Sequence, residues 1–347
     1  MKIIIDLQTF SGVKQSLKNL LDDNFERFEK RLIEFLKDES FNEKIDTEFL
    51  KENKLFDLSN INYENIYFKG FHYTTRGSSK SCYEDIKPLP RMLTEETTLK
   101  QFFTKYGIEF DLENNTLIHN DVRHEIISND KMSSIETKVN TDPEVWAFLR
   151  TKDITYYFRD NYGIPEFVGD IYRYLDYNSE FLEEWKRLYG VPWVIEFVYP
   201  LSRMDVYANF HEMGKNSFLK EQNGLDDESE NYYIEEFKRY QIKGTVDLVL
   251  KTYLGMLKRY LIPEIFDCKE GIEYLIDIDF HNENKDELFN QLNEYSVYTK
   301  NIQVFDDEHL EIIMAVNKGE VVPSELIVKN WDIDEFNLFT YKENRFV

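Results

Sequence analysis

The sequence predicts an α+β fold: a mixed or antiparallel sheet core, an N-terminal helical segment and a small C-terminal β-α-β-β subdomain. Three observations carry that expectation. Leu17, Leu21, Phe25, Phe28, Leu32 and Phe35 recur at three- and four-residue steps, the spacing of one helical face. Runs such as Ile66–Thr75 and Trp193–Tyr199 are aromatic and β-branched, as strands are. Glycine is scarce, at 13 of 347 residues against 27 Phe and 23 Tyr, where average usage of roughly 7% would give about 24. That balance favours a densely packed interior over turn-rich sandwiches or glycine-rich phosphate cradles.

In chain order, Ile3–Ile5 is a short strand, and Ser11–Leu50 reads as charged amphipathic helix packing onto the α+β core. The Ile66–Thr75 strand ends in the polar loop Gly77-Ser-Ser-Lys-Ser. Thr94-Glu-Glu-Thr has the composition of a helix start, and Gly107 would stop that helix. Short strands come next at Ile108-EFDL, Thr116-LIH and His124-EII. From Asp142 the chain reads as helical through Pro143-EVWAFL, Ile154-TYYF and Ile164-PEFVGDIYRYL; Trp193-VIEFVY is a buried strand closed by Pro200. Residues 221–236 hold seven acidic residues and no basic ones, an expected exposed loop, before a helix over Val246–Tyr260. Pro263 and Gly271 mark a boundary, and Tyr274-LIDIDF, Ile302-QVF, Leu310-EIIMAV and Val321-VPSELI supply the C-terminal unit. The expected division is 1–60, helical; 61–265, α+β core; and 266–347, C-terminal subdomain.

Charge restricts partners. With 42 basic and 66 acidic residues the net charge is −24, which repels nucleic-acid phosphate and anionic membranes in the absence of a local basic patch. Cys82 and Cys268 stand far apart without a CxxC, so neither a disulfide framework nor a zinc site is expected. The histidines lack HxH or HxxxH spacing, and no GxGxxG, GxxxxGK[ST] or GxSxG occurs. No apolar stretch reaches the roughly 18 residues of a membrane span, and the N-terminus lacks a long apolar leader, so the expected location is cytoplasmic.

The most distinctive string is Phe71-His72-Tyr73-Thr74-Thr75-Arg76. A histidine inside an aromatic strand is either a satisfied core ring or, at a strand end facing a cleft, a ligand contact. With Glu84-DIKPLPRML behind it, the string resembles the first motif of the ADP-ribosyltransferase superfamily in its His-Tyr-Glu, toxin-like form. The resemblance covers about residues 62–265. It implies NAD as substrate, with His72 bonding the nicotinamide-side ribose and Tyr73, Thr74 and Arg76 in the surrounding cofactor-binding segment. It also implies a stacking tyrosine, for which Tyr156 or Tyr157 qualifies, and a glutamate that opens a strand and stabilises charge on the ribose as nicotinamide leaves. Glu236, ahead of Ile242, Gly244 and Val246, fits that outline; Glu235 is its neighbour, and Glu311 is the rival placement.

On this reading the chain transfers ADP-ribose to a macromolecular acceptor, a chemistry suited to conflict between phages and bacteria. The alternative is a non-enzymatic acidic protein that blocks the nucleic-acid-binding surface of a basic partner, motivated by the net charge and the 221–236 run. A third reading places a divalent metal on Asp277 and Asp279, two apart on one strand face; the upstream Gly-Ser turn such an enzyme needs is missing, and no metal is expected.

Overall fold

The computed structural model describes residues 2–37, 45–78, 83–129, 132–141, 144–151, 163–208, 211–212, 230–261 and 312–343. The class is α+β, with helices packed on an eight-stranded, mainly antiparallel sheet. Its hub is the long strand β2 (Ile66–Arg76), which comes after the N-terminal strand β1 (Ile3–Ile5) in the chain. A second, three-stranded sheet is formed by β3 (Ile108–Asp111), β4 (Thr116–His119) and β5 (Val122–Glu125), as the short-strand reading expected.

The large sheet is completed by β6 (Trp146–Arg150), β7 (Val191–Pro200), β8 (Met204–Ala208), β9 (His211–Glu212), β10 (Ile312–Val316) and β11 (Ile327–Asp332). Its order is β11-β7-β2-β6-β10-β8-β9. On one edge β2 pairs antiparallel with β7 from Tyr67 to Arg76. The other edge is shared: β1 runs parallel beside Ile66–Phe68, and β6 meets β2 at Phe71. β1 and β6 therefore lie end to end along one strand.

Alternation along the strands divides the side chains between two faces. One face carries Ile66 and Phe68 of β2 with Ile195, Phe197 and Tyr199 of β7. It is covered by α1 (Phe10–Leu21), α2 (Phe25–Lys37) and the 32-residue helix Glu230–Leu261; Phe10 stacks on Tyr253 at 5.6 Å. Gly70 stands on this face because its neighbours fill the space: a Cβ there would lie 2.8 Å from Phe197 Cζ and 3.1 Å from Met314 Sδ. The opposite face packs Phe71, Tyr73, Phe148, Val194 and Trp331 against the C-terminal helix Ile333–Glu343, through Ile333, Phe336 and Phe339.

Between these helices in sequence come α3 (Thr47–Glu52), α4 (Leu89–Thr94), α5 (Thr98–Lys105), α6 (Ser133–Glu136), α7 (Glu166–Tyr174) and α8 (Ser179–Tyr189), so Glu230–Leu261 is α9 and Ile333–Glu343 is α10. The segments on either side of β6 fold together as a second lobe. Phe102, Phe103, Phe167, Phe181 and Trp185 make its aromatic centre, with the Phe102 and Trp185 rings edge to face at 5.0 Å. The aromatic excess in the composition is concentrated in packing of this kind.

Three expectations are corrected. Trp146–Arg150 is a strand and not helix: it lies in mid-sheet between β2 and β10, and its run Trp146-Ala-Phe-Leu is apolar on both faces and carries no polar alternation to read. Glu236–Val246 is helix and not strand, lying wholly within α9. Among the described residues, the C-terminal strands join the main sheet and not a separate unit, β10 between β6 and β8 and β11 beside β7, while Tyr274-LIDIDF and Ile302-QVF lie outside the described residues. The acidic 221–236 run is helical from Glu230 onward; its earlier residues lie outside the described ones.

Where β1 and β6 converge, the sheet holds a partly buried cluster of charge. Lys69 Nζ lies 2.7 Å from Asp6 Oδ2 and 3.2 Å from Glu196 Oε1. Burial disfavours its ammonium, but the two carboxylates outweigh burial and hold its pKa above the usual lysine value. Trp331 Nε1 donates to the other Glu196 oxygen at 2.8 Å. Glu196→Ala leaves Lys69 one carboxylate short and Trp331 without its acceptor, and should cost about 3 kcal/mol in urea unfolding. Lys69→Met in the same chain should return part of that loss, because the deprived cation is then gone.

Candidate functional site

His72, Thr74 and Arg76 share the α9-bearing face of β2, beyond Gly70. Directly opposite residues of an antiparallel pair point to the same side. In the register His72 faces Ile195, which faces Asn330 of β11; Thr74 faces Trp193, which faces Asp332. One face thus carries His72, Thr74, Trp193, Asn330 and Asp332 in two adjacent rows across three strands, with the apolar Ile195 between His72 and Asn330. Buried in it, Trp193 Nε1 and both amide atoms of Asn330 have no hydrogen-bond partner among the described residues. Such groups are costly unless a ligand or water meets them. At the end of the row Arg76 lines a cavity of about 430 Å³ with Tyr83, Glu84, Thr97 and Ser324.

The state of His72 is set by its neighbours. Its Nδ1 lies 2.8 Å from the Trp146 carbonyl oxygen. A carbonyl only accepts, so Nδ1 carries the proton and donates, and Nε2 is left with a lone pair. Burial pushes the ring's pKa down to about 4; the Trp146 carbonyl opposes that shift and Arg76 adds to it. The imidazole is neutral at pH 7, an acceptor for a hydroxyl and not a cation for a phosphate.

The other site candidates separate. Tyr73 alternates onto the opposite face, where it packs with Phe71 and Phe336, so it does not join His72 and Thr74 at one ligand. Glu235 and Glu236 stand in the second turn of α9, paired with Lys238 and Arg239 at 3.1 and 2.7 Å. Five residues farther along α9, Gln241 bonds Tyr63, which precedes β2. His72 lies six residues into β2, roughly 20 Å from its start at about 3.3 Å per residue, so the contact that ties this part of α9 to the chain ahead of β2 is remote from His72. Tyr156, Tyr157, Glu311, Asp277 and Asp279 lie outside the described residues. Among the described residues no group of three or more His, Cys, Asp or Glu side chains is arranged to hold a metal, and no helix is long and apolar enough to cross a membrane.

Trp193 and Asn330 escape a reading of the sequence alone, because their place in the row depends on strand register. No family model, no curated protein and no solved structure matches the chain.

A titration tests the assignment of His72. The unfolded ring takes its proton as pH falls through about 6.5, its ordinary value, whereas the folded ring resists until about 4. The stability due to the neutral ring is full above pH 6.5 and is lost as pH falls towards 4. Urea unfolding at pH 7 and pH 4.5 should therefore show a larger acid loss for the native chain than for His72→Gln. Nitrogen-15 NMR should find the Nδ1–H tautomer with no titration near pH 6.

Proposed function

We propose that the chain binds NAD along the stripe of His72, Thr74 and Arg76 and transfers its ADP-ribosyl group to a macromolecular acceptor. The observation that supports this reading is the shared face: three of the four first-motif residues line up there, beside buried polar atoms of Trp193 and Asn330 that lack partners among the described residues. In this reading His72 Nε2 accepts from a ribose hydroxyl, and the Arg76 guanidinium meets pyrophosphate oxygens. The bond between ribose C1′ and the nicotinamide nitrogen breaks, and nicotinamide leaves with the electron pair. A nucleophile of the acceptor bonds to C1′ and gives up its proton. Tyr156 or Tyr157 would stack the nicotinamide ring. Of the three glutamates, Glu311 is the one that leads directly into a sheet strand, β10, which favours it as the carboxylate that steadies the developing charge. A net charge of −24 favours a protein acceptor over free nucleic acid.

Calorimetric titration of NAD, with chromatographic detection of released nicotinamide, checks this. Saturable binding is expected. Removing one charge-assisted contact in Arg76→Ala should weaken it about tenfold, with the unfolding midpoint near that of the native chain. Absence of saturable binding at millimolar NAD would sink the proposal; binding that Arg76→Ala and Thr74→Ala leave unchanged would sink the assigned site.

A further inference from the structure

A second cavity, of about 880 Å³, opens between α9 and the segment just after α3. Its walls carry Lys51, Lys54, Arg239 and Lys243 against the carboxylates of Asp57 and Glu236. On a chain with net charge −24, a concave surface with more cations than carboxylates is a local reversal of sign. Phe56 and Tyr240 add aromatic surface to the same walls.

Helical spacing builds one side. Glu236, Arg239, Tyr240 and Lys243 succeed one another at i, i+3, i+4 and i+7, which places all four on one face of α9. The other side is clamped to that helix at several points. Asp247 Oδ1 accepts from the Thr47 backbone N–H at 2.7 Å and from its hydroxyl at 2.5 Å. Gln241 bonds Tyr63, and Lys243 Nζ lies 3.3 Å from Glu48 Oε1. The walls are thus held in place without a ligand, as small-molecule sites are.

Several of the charges are already shared. Glu48 also accepts from Lys51, and the two ammonium groups hold its carboxyl below the usual glutamate value despite some burial. Arg239 pairs with Glu236, and Lys54 has no ion pair among the described residues. A ligand with several negative oxygens gains Lys54 outright and reinforces the other cations.

We propose that this cavity binds a nucleoside polyphosphate, its phosphates on Lys51, Lys54, Arg239 and Lys243 and its base against Phe56 and Tyr240. The volume suits one ligand of that size, since small-molecule sites span about 300–1,000 Å³. Because no residue of β2 lines this cavity and it shares no residue with the cavity at Arg76, this site is separate from the one proposed for NAD and stands whether or not NAD binds there.

Equilibrium dialysis of the full chain against ATP and against inorganic pyrophosphate, at low and high salt, tests the proposal. ATP should bind saturably and more tightly than pyrophosphate, and more weakly as salt rises. Lys54→Gln and Arg239→Gln should each weaken it about tenfold, the worth of one charge-assisted contact. Lys54→Arg should retain binding, and Lys105→Gln, in the second lobe, should change nothing. Thermal unfolding of each variant separates lost binding from lost folding, and should stay near the native midpoint. No saturable ATP binding, or binding indifferent to both glutamine variants, overturns the site. Equal affinity for pyrophosphate overturns the base contact. Competition by NAD that Arg239→Gln abolishes and Arg76→Ala does not would show one site where two are proposed.

Discussion

The sheet is organised around a half-buried lysine that cannot be left alone. Lys69 sits near the middle of β2, where the edge not taken by β7 passes from β1 to β6. Neither of those strands is long enough to pair with β2 along its length, so the junction is a gap in the ladder. Polar side chains fill it. Asp6, just past β1, and Glu196 of β7 hold the ammonium. Beside them Gln8 donates to the Thr151 carbonyl at 2.8 Å and accepts from the Thr151 N–H at 2.9 Å, and Arg150 reaches the Leu7 carbonyl. Together these contacts do for the break in pairing what backbone hydrogen bonds do elsewhere in the sheet. A sheet interrupted in this way is held in register by specific partners and not by apolar burial alone, which is non-directional.

That constraint also sets how the rest of the chain is arranged. β6 occupies a central position, so the chain must leave the sheet before it and return after it. The two excursions meet and bury their aromatic rings in one lobe. Tyr177 stacks on Phe181 at 4.6 Å while its hydroxyl donates to the Tyr106 carbonyl, so the polar tip of a half-buried ring is satisfied across the two excursions. The lobe rests on aromatic packing with few glycines, as the composition implied. Among the described residues the main sheet is covered differently on its two sides: α1, α2 and the 32-residue α9 on the face that ends in the His72 row, and the 11-residue α10 on the other.

The elements that the sequence displays are those with a clear period. The amphipathic N-terminal helices and the strand Ile108–Asp111 repeat an apolar residue at the step of their own geometry, and the Trp193 strand is legible by its length and its aromatic and β-branched residues. Trp146–Arg150 carries no such period, because a short central strand is apolar on both sides and five residues do not distinguish strand from helix. Tyr73 shows another limit. Neighbouring letters in a strand point to opposite faces, so a compact string such as His72-Tyr73-Thr74 looks like one site in sequence and is two in space. Trp193 and Asn330 show the converse: they join His72 and Thr74 through register alone, from distant parts of the chain.

Glu236 carries the most instructive difference. Its strand reading rested on an apolar-Gly-apolar step at Ile242, Gly244 and Val246, which alternates as a strand does. The same residues also satisfy a helix: Ile242 and Val246 are four apart, and both are buried beneath α9. What decides between the two is the polar residues. As a strand, Glu236 and Tyr240 would face one way and Arg239 and Lys243 the other, parting the glutamate from its arginine. As a helix, the four converge and the ion pair of Glu236 with Arg239 closes at 2.7 Å. The apolar residues fit either period, whereas the charges are reconciled only by the helical one. Once the period is assigned, the stretch from Glu236 to Lys243, with one acidic residue and three basic ones, becomes one side of a cation-lined cavity.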